Sequence, residues 1–267
     1  MKHRVIIITA ILSALVIAGC REGEETAFAR GDQAYQSGDF STARAIWQTL
    51  ADTGHPAAQF NLGVIYADGR GTPRDMVKAL GWWQKAADNG HHGAQHNLAL
   101  TYLAGDGIPA DPARAEHYLR MAAAGGFANS QYTLGKLLAE GLTGPAQPKQ
   151  AFDYLAMAAK QGFAKAQYGL AKYYRDGFGT QQDLGKAAFW FEQAALRGHA
   201  RAQRHIARRL AEGEGVPRDK VAALTWALIA AKQGIVESAA LAEKLRADMG
   251  AAQITEAEAR AASFRSR

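Results

Sequence analysis

The sequence predicts an all-α protein, a solenoid of stacked helix-turn-helix units. Three observations predict it: a strict 36-residue period, amphipathic helical spacing inside each period, and glycine or proline at the points where helices must end. Gly54, Gly90, Gly126, Gly162, Gly198 and Gly234 fall 36 residues apart, as do Gln59, Gln95, Gln131, Gln167 and Gln203. Ala43, Ala79, Ala115, Ala151, Ala187 and Ala223 keep the same interval. A fixed period of this length is the signature of a solenoid, in which each unit buries its apolar face against the next.

Within one period, Gln59, Leu62, Gly63 and Tyr66 stand at i, i+3, i+4 and i+7, the spacing of one helix face. The first helix is expected over Ala58 to Asp68 and ends at Gly69, because glycine readily takes the left-handed conformation past a helix C-terminus. Asp75 is placed to cap the second helix. That helix carries Ala79, Trp82, Trp83, Ala86 and Ala87, with the alanine pair recurring at Ala122-Ala123, Ala158-Ala159, Ala194-Ala195 and Ala230-Ala231. Trp47, Trp82, Trp83, Trp190 and Trp226 all fall in second helices and are assigned to packing. After Gly234, Ser238 to Asp248 reads as a further first-type helix. Thr255-Glu256-Ala257-Glu258 reads as the capping box of a last helix toward Phe264.

The N-terminus carries a different signal. Basic Lys2 and Arg4 precede an apolar run from Val5 to Val16, too short to span a bilayer and suited to a signal-peptide core. Ile17-Ala18-Gly19-Cys20 resembles the bacterial lipobox. That resemblance implies cleavage before Cys20, its acylation with fatty chains such as palmitate, and a mature chain of charge +4 rather than the full-length +6. Arg21, where an inner-membrane retention signal would have Asp, points to the outer membrane, facing the periplasm. Cys20 is the single cysteine, so no internal disulfide can form and packing alone must stabilise the fold.

The pattern A-Q-x-x-L-G-x-x-Y-x-x-G-x-G-x-P-x-D followed by A-x-x-W-x-x-x-A-A, written from Ala58 to Ala87, resembles the Sel-one-like repeat, a relative of the tetratricopeptide repeat. The third copy departs from it at Thr143, Gly144 and Gln147-Pro148. Gly31 to Ala43 is similar to the tetratricopeptide pattern itself. The organisation expected is a signal peptide over 1–19, a lipidated cysteine and linker over 20–26, a tetratricopeptide-like helix pair over 27–54, five Sel-one-like repeats over 55–234 and a cap over 235–267. The resemblance implies a right-handed α/α superhelix. It also implies a non-enzymatic scaffold or adaptor serving complex assembly, export or signalling in the cell envelope. Immunity lipoproteins that neutralise a delivered toxin share the resemblance. So do cysteine-rich proteins linked to penicillin binding, whose paired cysteines are missing from these repeats.

Residues for chemistry are sparse. No phosphate loop, zinc-protease motif or nucleophile elbow occurs, so the sequence assigns no catalytic residue, cofactor or metal. His91, His92 and His96 form the one metal-like cluster, and packing between repeats explains it better. A pI near 9.4 permits weak attraction to anionic surfaces without identifying one, and a chain exported from the cytoplasm is a poor candidate for nucleic acid. Columns that vary between the copies are free for recognition. One reads Phe60, His96, Tyr132, Tyr168, Arg204; the other, a helical turn later, reads Val64, Leu100, Lys136, Lys172, Arg208. This stripe runs from apolar to aromatic-plus-lysine to arginine-rich, with Arg201 and Arg209 thickening the basic end and Glu212 offsetting it. It is expected to bind an acidic protein segment, and an anionic polysaccharide suits the same chemistry. A capped solenoid of this kind is expected to be a monomer.

Overall fold

The computed structural model describes residues 23–266, all of its regular structure helical. The lipidation reading at Cys20 and the signal peptide lie outside the described residues. The chain divides into two compact units at Ala122/Ala123. The first holds α1 (residues 23–36), α2 (Phe40–Asp52), α3 (Pro56–Asp68), α4 (Met76–Asp88), α5 (His92–Ala104) and most of α6 (Pro112–Ala124). The second holds α7 (Ala128–Glu140), α8 (Pro148–Lys160), α9 (Ala164–Asp176), α10 (Leu184–Leu196), α11 (Ala200–Glu212), α12 (Lys220–Lys232), α13 (Val236–Ala247) and α14 (Ala251–Ser263). The all-α helix-turn-helix solenoid expected from the sequence is the fold observed.

The helix ends follow local chemistry. Asp39, Asp75, Asp111, Asp183 and Asp219 each accept from the backbone N–H three residues on, closing the open start of a second-type helix. The first-type helices use a cap that the sequence reading assigned to packing. Nδ1 of His55, His91 and His199 accepts from the N–H of Ala58, Ala94 and Ala202 at 3.1–3.2 Å. Two boundaries differ from expectation. Residues 23–26, read as linker, are already helical, and Glu24 and Glu25 suit the positive end of a helix dipole. The last helix begins at Ala251, four residues before the expected capping box. There Gln253 Oε1 accepts from Gly250 N, while Thr255 turns its hydroxyl onto the Ala251 carbonyl.

Small and large residues complement each other across several of the helix pairs. Trp83 lies against Gly63, where any Cβ would overlap the indole, and its Nε1 donates to the Phe60 carbonyl at 3.2 Å. Trp47 fills the same place against Gly31. Further along, the pairs become Gly135 with Leu155 and Ala171 with Phe191, all buried. The apolar alanine pairs, essentially inaccessible except for the partly buried Ala231, let neighbouring helices approach closely.

The glutamine column is the hydrogen-bonded counterpart of this packing. Nε2 of Gln59, Gln95, Gln131, Gln167 and Gln203 donates at 3.1–3.2 Å to the carbonyl of Ala51, Ala87, Ala123, Ala159 and Ala195 respectively, in the last turn of the preceding helix. Each bond adds a side-chain donor to a last-turn carbonyl that also accepts from the turn glycine three residues on. On the other side of the amide, Gln131 Oε1 accepts from Gln161 at 2.8 Å and Gln203 Oε1 from Gln233 at 2.6 Å. At the equivalent place Arg197 makes no such bond, and Gln167 Oε1 is buried without a partner. Arg197→Gln should therefore raise the stability of the chain by about 1 kcal/mol, the net worth of one restored buried bond. A higher urea midpoint with unchanged slope would show it; a lower one would rule it out.

Candidate partner-binding grooves

In the second unit, α7 and α9 lie side by side, each with a tyrosine and a lysine at i and i+4 on one face. Tyr132, Lys136, Tyr168 and Lys172, two pairs from the predicted stripe, line one groove of about 250 Å³. Lys165, Glu140, Tyr173 and Gly169 complete it. Gly169 occupies the column of Asn61, Asn97, Thr133 and His205, so the groove is open where the other copies carry a side chain. An adjoining depression of about 380 Å³ shares Tyr132, Lys165 and Tyr168 and adds His199, Arg201 and Ile235.

Its aromatic walls are held by the repeats behind them. Tyr168 stacks on His199, ring centroids 4.4 Å apart, and Tyr132 meets Phe163 edge-on at 5.3 Å. Burial keeps the His199 imidazole below its ordinary pKa, so Tyr168 rests on a neutral ring. Burial, with the Glu140 carboxylate beside it, pushes the Tyr173 hydroxyl up to about 12. The charge is mostly positive, with Glu140 the one carboxylate in the lining. Lys136 reaches Glu140 only at 3.9 Å, and Lys165, Lys172 and Arg201 form no ion pair among the described residues.

The arginine end of the stripe is different from expectation. Arg204 Nη1 donates to Glu237 at 2.8 Å, and Arg208 reaches Glu214 at 3.3 Å and Glu212 at 3.6 Å. Arg204, Arg208, Glu212 and Glu237 line a separate groove of about 250 Å³ whose cations are already matched by carboxylates. Arg209 contributes nothing to the surface. It is fully buried, its guanidinium 5.0 Å from the centre of the Phe191 ring and within 3.4 Å of Glu214. The sequence reading missed Glu214 and Glu237 because neither falls in the columns it compared. Along the stripe the unpaired positive charge thus sits on Lys165 and Lys172 of the fourth copy and on Arg201 at the start of the fifth.

In the first unit, Phe60 and Val64 line a cup of about 230 Å³ with Asp32, Tyr35, Gln36, Trp47 and Asn61. Phe60 also stacks on His91 at 4.5 Å. His96 is half-buried and its pKa is lowered by desolvation, while Leu100 is exposed; neither borders the cup. His91 and His92 are engaged elsewhere, His91 as a helix cap and His92 with Gln95 Oε1 at 3.2 Å. Among the described residues no group of three His, Cys, Asp or Glu side chains converges as a metal site.

The Sel1 repeat family matches residues 56–91, 92–127, 128–163, 164–199 and 200–235, five copies in register with the glutamine and glycine columns. The chain belongs to the Sel1 repeat family. Solved Sel1 structures agree. The chain superposes on c5321, a protective antigen of uropathogenic Escherichia coli strains, with a TM-score of 0.79 and 27% identity, covering 90% of this chain and 53% of that one. It matches a Sel1 repeat protein from Oxalobacter formigenes with a TM-score of 0.72 and 29% identity over 81% of this chain and 86% of that one. A mouse relative, DAP3-binding cell death enhancer 1, is 42% identical over 50 residues, 19% of this chain and 10% of the relative. The chain therefore spans only a small part of that curated relative and about half of the antigen. Sel1 repeat proteins mediate protein–protein interactions and are generally non-enzymatic scaffolds.

Proposed function

We propose that this Sel1 repeat chain is a non-enzymatic adaptor of the bacterial envelope, tethered through a lipid on Cys20, that holds an acidic segment of a protein partner. The observation that carries the binding part is the groove of Tyr132, Tyr168, Lys136, Lys165 and Lys172 with Arg201 beside it. Tyrosine and arginine supply the contact area and charge typical of interface anchors. Unpaired lysines over a shallow aromatic floor favour glutamate or aspartate side chains, whose charge they would neutralise. The tether rests on the basic start, the short apolar run and the lipobox-like Ile17-Ala18-Gly19-Cys20. Outer-membrane placement rests on Arg21.

The test is a quantitative pull-down of partners crosslinked in intact cells. Lys165→Glu with Lys172→Glu should reduce recovery of the partner about ten-fold or more, equivalent to at least ~1.4 kcal/mol. Arg204→Glu with Arg208→Glu should leave recovery nearly unchanged, since those arginines already face Glu237, Glu212 and Glu214. Full recovery with the lysine variant would remove the groove from the proposal. For the tether, Cys20→Ser should move the protein out of the membrane fraction.

A further inference from the structure

The cup in the first unit has chemistry opposite to that of the lysine groove. Asp32, Tyr35 and Gln36 on α1 form one wall, Phe60, Asn61 and Val64 on α3 the other, and Trp47 of α2 lies at the floor. Tyr35 and Trp47 have ring centroids 5.4 Å apart, and Trp47 is almost wholly buried. The interior is thus aromatic and aliphatic, with a single carboxylate. That carboxylate is poorly served by the protein. Asn61 Nδ2 reaches Asp32 Oδ1 only at 3.4 Å, and Asp32 forms no ion pair among the described residues. Arg70, whose guanidinium lies 5.3 Å from the Tyr35 ring centre, is tied to Asp68 at 3.1 Å. Partial desolvation raises the Asp32 pKa, the strain that a bound cation would relieve.

We infer that this cup takes the side chain of a lysine from a protein partner. A lysine stem is apolar along four carbons and would lie against Phe60, Val64 and Tyr35, while its ammonium meets Asp32. The ammonium has three N–H donors, and the cup offers three oxygen-bearing acceptor groups: the Asp32 carboxylate and the side-chain amides of Gln36 and Asn61. Aromatic faces add cation–π attraction. A quaternary ammonium such as a choline headgroup has no N–H and would leave those oxygens unmatched. The site is separate from the lysine groove and does not depend on it.

Titration of the full chain with Nα-acetyl-lysine methylamide, followed by NMR of the Asn61 and Gln36 side-chain amides and the Trp47 indole N–H, tests the inference. We expect saturable shifts with a Kd of about 1–10 mM, a value proper to a single side chain. The Nε-acetylated probe and tetramethylammonium should give none. Asp32→Asn should weaken binding about five-fold or more, while Lys165→Glu with Lys172→Glu should leave it unchanged. Val64→Lys, which copies Lys136 and Lys172 at the equivalent position, should occupy the cup from within and abolish the shifts. Absence of shifts at saturating probe, equal shifts with tetramethylammonium, or undiminished binding by Asp32→Asn would each overturn the inference.

Discussion

Gly179→Ala should destabilise the chain by about 3 kcal/mol, some three times the effect of Gly234→Ala. Both glycines have positive φ, +71° and +87°, so alanine suffers the same kind of backbone strain at each, about 1 kcal/mol. What differs is the space. At Gly234 no heavy atom lies within 4 Å of the added Cβ. At Gly179 the Cβ would overlap the Pro148 carbonyl oxygen, lie 2.5 Å from its carbon and 3.1 Å from Lys149 N. These atoms are the first turn of α8, in the preceding repeat, and cannot retreat without moving that helix. The same approach recurs at Gly215, whose Cβ would overlap the Leu184 carbonyl at the start of α10. Urea unfolding followed by circular dichroism reads the difference. Equal midpoints for the two variants would mean that these turns do not bear on the helix behind them.

That turn shows why the fold was legible in sequence and part of the surface was not. Fold information repeats. The glutamine, glycine and alanine columns recur because each unit solves the same packing problem, so their period exposes the solution directly. Even so, the period marked Gly71 and Gly107 only as turn residues, not as places where one repeat touches the one before, as they and Gly179 and Gly215 do. The histidine caps were missed for a related reason: His55, His91 and His199 share their column with Phe127 and Phe163, whose side chains make no cap bond, so packing seemed to explain the column. Surface charge does not repeat. Arg204 and Arg208 are neutralised by Glu237 and Glu214, carboxylates on a different helix and in a turn, and Arg209 points inward at a position where other copies carry Ile65, Leu137 or Tyr173. Column reading places a residue on a face; it does not say what stands opposite. The tyrosine–lysine pairs of α7 and α9 could be found because both partners lie in the compared columns, whereas Lys165 and the opening at Gly169 needed coordinates.

Acidification should weaken the chain well before its carboxylates titrate, by about 2 kcal/mol between pH 7.5 and pH 5, with His205 the main cause. The His205 ring is nearly inaccessible, stacked on Phe191 at 4.6 Å and tilted against Tyr168 at 5.8 Å. Burial first, then the charges of Arg204, Arg175, Arg209 and Arg208, lower its pKa to about 3. An unfolded histidine titrates near 6.5, so between about pH 6.5 and pH 3 the unfolded chain binds the extra proton and the folded chain refuses it. Stability is then complete above pH 6.5 and falls by at most about 1.4 kcal/mol for each unit below it. His91, His96 and His199, also lowered by burial, act in the same direction. The capping carboxylates of Asp39, Asp75 and Asp183 are held below their usual range by hydrogen bonds, so their loss comes only at lower pH and does not blur this window. His205→Asn, which installs the residue found at Asn61 and Asn97, should flatten most of the slope between pH 6.5 and pH 5 in urea midpoints. A slope unchanged in that variant would place the proton elsewhere. Because Tyr168 leans on both His199 and His205, the same protons should loosen the wall of the lysine groove, coupling partner affinity to acidity through the ring that the two share.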